Sequence, residues 1–147
     1  IVYKRCTQVH EDDIFNAFQI GFSDYIIKVD IDCLKGINAI QNTHINWQND
    51  FDYIGYFSNQ VHYGVYNKEN LIGALSLQPS GRINFLWVDF SLRNKGIGSA
   101  LIGHAVNELN IKKLTINFPN NALLMGFVKR WNFEKDSISQ YEMYLTL

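Results

Sequence analysis

The chain has little proline and little cysteine, two of each in 147 residues, and no excess of charge of either sign. Each shortage removes a class of protein. With so few prolines and no glycine- or serine-rich run, no linker, low-complexity tract or internal repeat is expected. Cys6 and Cys33 are too far apart for a C-x-x-C redox or metal pair, so free thiols in a reducing cytosol are expected. Thirteen Lys and Arg against 14 Asp and Glu leave a formal net charge of −1, not the broad positive field of a nucleic-acid binder. No apolar run reaches the length that crosses a bilayer. Lys4 and Arg5 lie within the first apolar residues rather than ahead of them, the wrong order for a signal peptide. His10, His44, His62 and His104 share no ligand spacing, so no metal site is expected. The expectation is a cytoplasmic protein with no nucleic-acid, membrane or metal partner.

What is present is apolar and aromatic. Hydrophobic residues make up 47% of the chain and aromatic ones 14%, enough for a thick core or a pocket lined with rings. The length suits one domain over residues 1–147. Ile1 to Thr7 alternates as a strand able to lie at an edge. Glu11 to Gly21 places Ile14, Phe15 and Phe18 at helical spacing behind an acidic first turn. Asp32 is the expected cap of a second helix carrying Leu34, Ile37 and Ile40. Residues 42–59 read as loop with a helical turn.

From Val61 the pattern changes. Val61 to Tyr66, Leu71 to Leu77 and Arg82 to Val88 are β-rich runs joined by short polar turns, an antiparallel meander. Gly98 to Asn110 carries Leu101, Ile102, Ala105, Val106 and Leu109 on one helical face. Lys113 to Asn117 reads as a strand, Asn121 to Trp131 as a helix and Gln140 to Leu147 as a last strand. The fold class is α/β (α+β): a mixed, mostly antiparallel central sheet flanked by helices, with one parallel crossover around the Gly98 helix.

The most informative segment runs from Phe85 to Leu101: strand, short loop, the turn Arg93-Asn94-Lys95-Gly96-Ile97-Gly98, then helix. The first turn of a helix leaves backbone N–H groups unpaired and carries partial positive charge. Glycines there let an anion approach the backbone, Arg93 and Lys95 add full charges, and Ser99 adds a hydroxyl donor. A Walker A loop requires Lys followed by Ser or Thr after the last glycine, which is missing. A dinucleotide fingerprint requires a third small residue where Leu101 stands and an acid after the next strand, where Asn117 and Phe118 stand.

Val88 followed five residues later by Arg93-Asn94-Lys95-Gly96-Ile97-Gly98 resembles the signature of the GNAT acetyltransferases, [RQ]-x-x-G-x-[GA] between strand and helix. Phe90 departs from it, since many members carry proline there. A second similarity lies in Asn121, at the start of the following helix, and Phe133 just beyond it, with Asn132 where glycine is usual. The resemblance covers roughly residues 61–147, and the first 60 residues follow it only in outline.

The resemblance implies acetyl-CoA as cofactor and direct transfer of its acetyl group to a primary amine of a small molecule or peptide. It implies a V-shaped splay between the fourth and fifth strands, Arg82 to Val88 and Lys113 to Asn117. The main chain of Leu86, Trp87 and Val88 would hold the pantetheine arm. The diphosphate would rest on Arg93, Asn94, Lys95, Gly96, Ile97, Gly98 and Ser99, and Asn121 would bond the arm or a water. A backbone N–H at Val88 would stabilise the oxyanion. Phe22 and Tyr25 fall in the loop that shapes the acceptor site. Val128 replaces the tyrosine that protonates the leaving thiolate in many members, which makes Tyr141 and Tyr144 the candidate acids and Asp89, Asp24 and His62 the candidate bases. Loss of that tyrosine also fits a non-catalytic acyl-CoA-binding sensor or partner module. A nucleotide-binding protein using the same turn is a more distant reading. Edge strands at both ends of the sheet are compatible with a homodimer.

Overall fold

The computed structural model describes residues 2–6, 26–37, 54, 59–67, 69–117 and 122–135. Three strands, β3 (Val61–Asn67), β4 (Asn70–Leu77) and β5 (Arg82–Val88), form the expected antiparallel meander. Helix α2 (Ile97–Leu109) follows β5, and β6 (Lys113–Asn117) returns parallel to β5. Helix α3 (Ala122–Arg130) and the short β7 (Glu134–Lys135) complete that half. Before the meander come β1 (Val2–Cys6), β2 (Ile26–Lys28) and α1 (Ile31–Lys35). Among the described residues the sheet has seven strands in the order β2-β3-β4-β5-β6-β1-β7, with β5–β6 pairing parallel and the other pairs antiparallel.

The fold class agrees with the sequence reading, and three local details do not. Strand β2 was not expected: three residues carry too short an alternation to register, and pairing with β3 defines them. The cap of α1 is Asp30, not Asp32: Asp30 Oδ1 accepts from Cys33 N at 3.1 Å, while Asp32 lies inside the first turn. β1 is not at an edge, because it pairs with β6 on one side and β7 on the other. The expected helix at 11–21 and strand at 140–147 lie outside the described residues.

Strand β4 is apolar along nearly its whole length because both its faces are covered. On one face α2 lays Ile97, Ala100, Leu101, Ala105 and Val106 against Tyr63, Val65, Leu75, Leu77 and Ile83. On the other, Ala74 and Phe85 pack with Leu34, Ile37 and Ile54. Removing each such aliphatic side chain from water contributes roughly 1.5–3 kcal/mol, so the two clusters fix which face is which. Lys28 Nζ meets Glu108 Oε1 at 2.6 Å, tying the short β2 to α2. Among the described residues no helix is long and apolar enough to cross a membrane.

At the ends of α2 and α3, asparagine takes the left-handed conformation usually given to glycine: Asn110 has φ 52° and Asn132 φ 54°. Ile111 N donates to Val106 O at 3.1 Å and Phe133 N to Val128 O at 2.9 Å, which closes both ends. Asn132 therefore adopts the backbone that its place in the motif requires.

Candidate functional site

The site is built on the last residues of β5 and the turn after it. Asp89 N donates to Ile72 O at 2.9 Å, one residue outside the Gly73↔Val88 pair. Gly73 and Val88 are therefore a non-hydrogen-bonded pair, and the N–H and C=O of Val88 point away from β4. Alternation gives Leu86 the same orientation and turns the main chain of Trp87 into the β4 ladder. Of the three residues expected to hold a cofactor arm, Leu86 and Val88 present their polar groups to the far edge of β5, while Trp87 packs its half-buried ring beside the α1 cluster.

That far edge has few strand partners among the described residues. Among the described residues the β5–β6 ladder consists of Arg82↔Thr115 and Ile83↔Ile116. The ladder starts at a tight anchor, where Thr115 N donates to Gly81 O at 2.9 Å. At its other limit the β4–β5 register shifts, because Ser76 faces Phe85 while Leu77 faces Ile83. The extra residue is Asn84, a bulge in the strand the resemblance marks as the cofactor strand.

Beyond Val88 the chain turns tightly. Asp89 caps a 3-10 turn (Phe90–Leu92), its Oδ1 accepting from Ser91 N at 3.0 Å and Ser91 Oγ at 2.6 Å. The Ser91 bonds, aided by nearby Arg93, hold the Asp89 carboxyl below its ordinary range, which leaves it a weak proton acceptor near neutrality. Arg93 donates its Nε to Val88 O at 3.0 Å, and its guanidinium lies 5.3 Å from the centre of the exposed Phe90 ring. Asn94 and Gly96 both have positive φ, 63° and 83°. Gly96 is the cap residue of α2 and offers no side chain, so the first-turn amides of Ile97, Gly98 and Ser99 receive no cap bond from it. The first intrahelical bond runs from Ala100 N to Gly96 O at 2.9 Å. A left-handed cap without a Cβ, uncapped amides and the positive end of a 13-residue helix make a cradle for an anion. Lys95 is exposed at its rim.

Two side-chain bonds cross from the end of α3 to this cradle. Trp131 Nε1 donates to Ser99 Oγ at 2.7 Å, and Arg130 Nη1 donates to Asn94 Oδ1 at 3.0 Å. Ser99 keeps its own hydroxyl hydrogen for another acceptor. Val128, at the position of the missing tyrosine, is fully buried in the α2-side core.

Sequence reasoning missed a polar chain on the face of the sheet opposite α2. His62 Nδ1 is 2.9 Å from Ser76 Oγ; Ser76 Oγ donates to Gln60 Oε1 at 3.4 Å, and Gln60 Nε2 donates to Asn84 Oδ1 at 3.4 Å. Ser76 and Asn84 are buried, and the Nδ2 of Asn84 finds no partner. Burial pushes the His62 pKa down against the opposing pull of Asp30. The signal was present: asparagine is depleted in strands, and Asn84 interrupts the run Arg82-Ile83-Asn84-Phe85-Leu86-Trp87-Val88. His62 stands on β3, two strands from β5. Phe22, Asp24, Tyr25, Asn121, Tyr141 and Tyr144 lie outside the described residues.

A family model described as acetyltransferase (GNAT) domain matches residues 41–147. No curated protein matches the sequence. Among solved structures, the chain is similar to a conserved protein of unknown function from Staphylococcus epidermidis, with 12% identity and a TM-score of 0.45. The likeness covers 90% of this chain and 49% of that one, so this chain spans about half of its length.

Proposed function

This chain belongs to the GNAT acetyltransferase family, and from that premise we propose that it binds acetyl-CoA along the open edge of β5 and transfers the acetyl group to a primary amine. The observation that carries the reading is the uncapped amide cradle of Gly96, Ile97, Gly98 and Ser99, joined to a strand edge whose Leu86 and Val88 main chains face away from β4. When bound, acetyl-CoA supplies an activated thioester: the amine nitrogen bonds the acyl carbon, the C–S bond breaks, and the amine gives up a proton as the thiolate leaves.

The residues divide that work. The amides of Lys95 to Ser99 hold the diphosphate, and Lys95 adds charge. Arg93, bonded to Val88 O, braces the end of β5 and keeps its other guanidinium nitrogens for the anion. Leu86 and Val88 pair with the arm as a strand would, and the N–H nearer the acyl group polarises its carbonyl. Most of the acceleration expected comes from holding thioester and amine together. Tyr141 and Tyr144 are the acids this reading assigns, and Asp24, His62 and Asp89 the bases, the Ser91 bonds that lower the Asp89 pKa counting against that residue. Asn121 is assigned to the arm, and Phe22 and Tyr25 to the amine. The setting this reading expects is one domain in the cytoplasm, as a monomer or a homodimer.

Calorimetric titration with acetyl-CoA, with ATP and NAD as controls, tests the cofactor. Micromolar binding to acetyl-CoA alone is expected, and a folded Arg93→Ala, Gly98→Val variant should lose it. Absence of binding to acetyl-CoA by the parent overturns the proposal. A second reading, a non-catalytic acyl-CoA module, draws on the burial of Val128 in the core where a proton donor is usual. Release of free thiol in an amine screen decides for the enzyme.

A further inference from the structure

We infer that the side-chain amide of Asn84 is a hydrogen-bond donor for the acyl carbonyl oxygen of the thioester. The inference rests on the acetyl-CoA reading above and adds a residue that the signature does not name. Four observations lead to it.

Asn84 is the bulge residue of β5, and it is the first residue beyond the described β5–β6 ladder, which ends at Ile83↔Ile116. It therefore stands at the closed end of the open edge. The residue is 2% exposed, and its Nδ2 has no partner among the described residues. A buried, unpaired amide donor costs roughly 1–3 kcal/mol, and such groups are rare enough to require a reason. Its orientation is also set. Gln60 Nε2 donates to Asn84 Oδ1, so the oxygen is occupied and the nitrogen is the end left over. Ser76 Oγ in turn donates to Gln60 Oε1, which fixes Gln60.

The distance along the strand selects the ligand group. From Val88 to Asn84 is four residues, about 13 Å at 3.3 Å per residue. An extended pantetheine arm hung from the α2 cradle and laid along Val88 and Leu86 has a comparable length, so its acyl end arrives beside Asn84. An N–H donor needs a lone pair, which a protonated amine lacks and a thioester carbonyl has. The bond strengthens as negative charge gathers on that oxygen during attack.

The test compares acetyl-CoA with S-ethyl-CoA, a thioether of the same shape without the carbonyl oxygen, by calorimetry on the parent, Asn84→Ala and Gln60→Ala, each checked for folding by circular dichroism. One neutral hydrogen bond of about 1 kcal/mol corresponds to about fivefold in affinity. The parent should prefer acetyl-CoA by at least that factor. Asn84→Ala should lose about fivefold of that preference while keeping its affinity for S-ethyl-CoA, and any share due to the backbone N–H remains. Gln60→Ala leaves Asn84 in place but unheld and should lose part of the preference. If Asn84→Ala does not fold, Gln60→Ala alone decides: an undiminished preference there overturns the inference. So does an undiminished preference in a folded Asn84→Ala, or a parent that shows none. A parent that binds neither ligand overturns the cofactor reading itself, a result distinct from binding without preference.

Discussion

The two flanks of β5 are held together in different ways. Towards β4, five register pairs from Gly73↔Val88 to Leu77↔Ile83 zip the strands along their length, with one bulge. Towards β6, the described ladder is two pairs long and ends at Ile83↔Ile116. The zipped flank also carries a covered core on each face, whereas the residues beyond the short ladder rely on side-chain bonds. Those bonds run from the end of α3, which follows β6, to the turn and helix that follow β5: Trp131 to Ser99 and Arg130 to Asn94. Backbone pairing joins β5 to β4 along its length, and side-chain bonds tie the end of α3 to the turn and the first turn of α2. A strand edge left without a partner strand is a liability unless something fills it, and in the proposed function the cofactor arm would fill it.

The largest expected effect comes from the anchor of the short ladder. Gly81 has φ +96°, and a Cβ there would lie 1.8 Å from Lys113 O. It also closes the turn after β4 by donating to Gln78 O at 2.8 Å. Gly81→Ala meets both backbone strain and a clash with a carbonyl, so a loss of roughly 3 kcal/mol or more is expected. For a domain of this size that is about 10 °C in Tm, read by calorimetry or circular dichroism. A shift under ~2 °C would mean that the two-pair ladder does not hold β5 to β6.

The intermediate effect tests the side-chain clasp. Trp131 is buried, and its indole N–H bonds Ser99. Trp131→Phe keeps a ring and removes the donor, for an expected cost of about 1–2 kcal/mol. Because Ser99 lies in the first turn of α2, acetyl-CoA affinity should fall alongside stability. Arg130→Ala removes an exposed bond and should cost no more than ~0.5 kcal/mol. Equal losses in the two variants would contradict the ranking of buried over exposed ties.

What the sequence disclosed follows the same division. The meander, the α2 crossover and the glycine turn were legible because each rests on local pattern: runs of apolar residues, turn residues between them, and two glycines opening a helix. Asn132, standing where the resembled family usually has glycine, takes the left-handed backbone that glycine favours. What was not legible depends on pairing over distance. Strand β2 exists through Tyr63, Gly64 and Val65, and β1 sits inside the sheet because β6 and β7 flank it. The His62–Ser76–Gln60–Asn84 chain joins residues from three strands and the loop before them, and no spacing in one dimension announces it. Even so, Asn84 broke the apolar rule within β5, and such breaks are where function is to be sought.

The smallest effect asks whether the zipped flank is uniform, since its back face carries His62, whose pKa burial lowers. Burial lowers the pKa of His62 from its ordinary 6.5, and Asp30 only partly opposes this. In the unfolded chain His62 takes up a proton near that ordinary value, while the folded chain resists until a lower pH. Below about pH 6.5 the unfolded state therefore binds more protons, and stability falls as the pH falls until the folded pKa is passed. Above about pH 6.5 the contribution is fully present. His62→Gln keeps an amide donor for Ser76 Oγ but does not titrate. Urea midpoints at about pH 7.5 and about pH 5.5 should therefore fall further in the parent than in the variant, other carboxylates contributing alike to both. Parallel decline in the two proteins would clear His62 of any part in acid sensitivity and leave the zipped flank held by its ladders and cores alone.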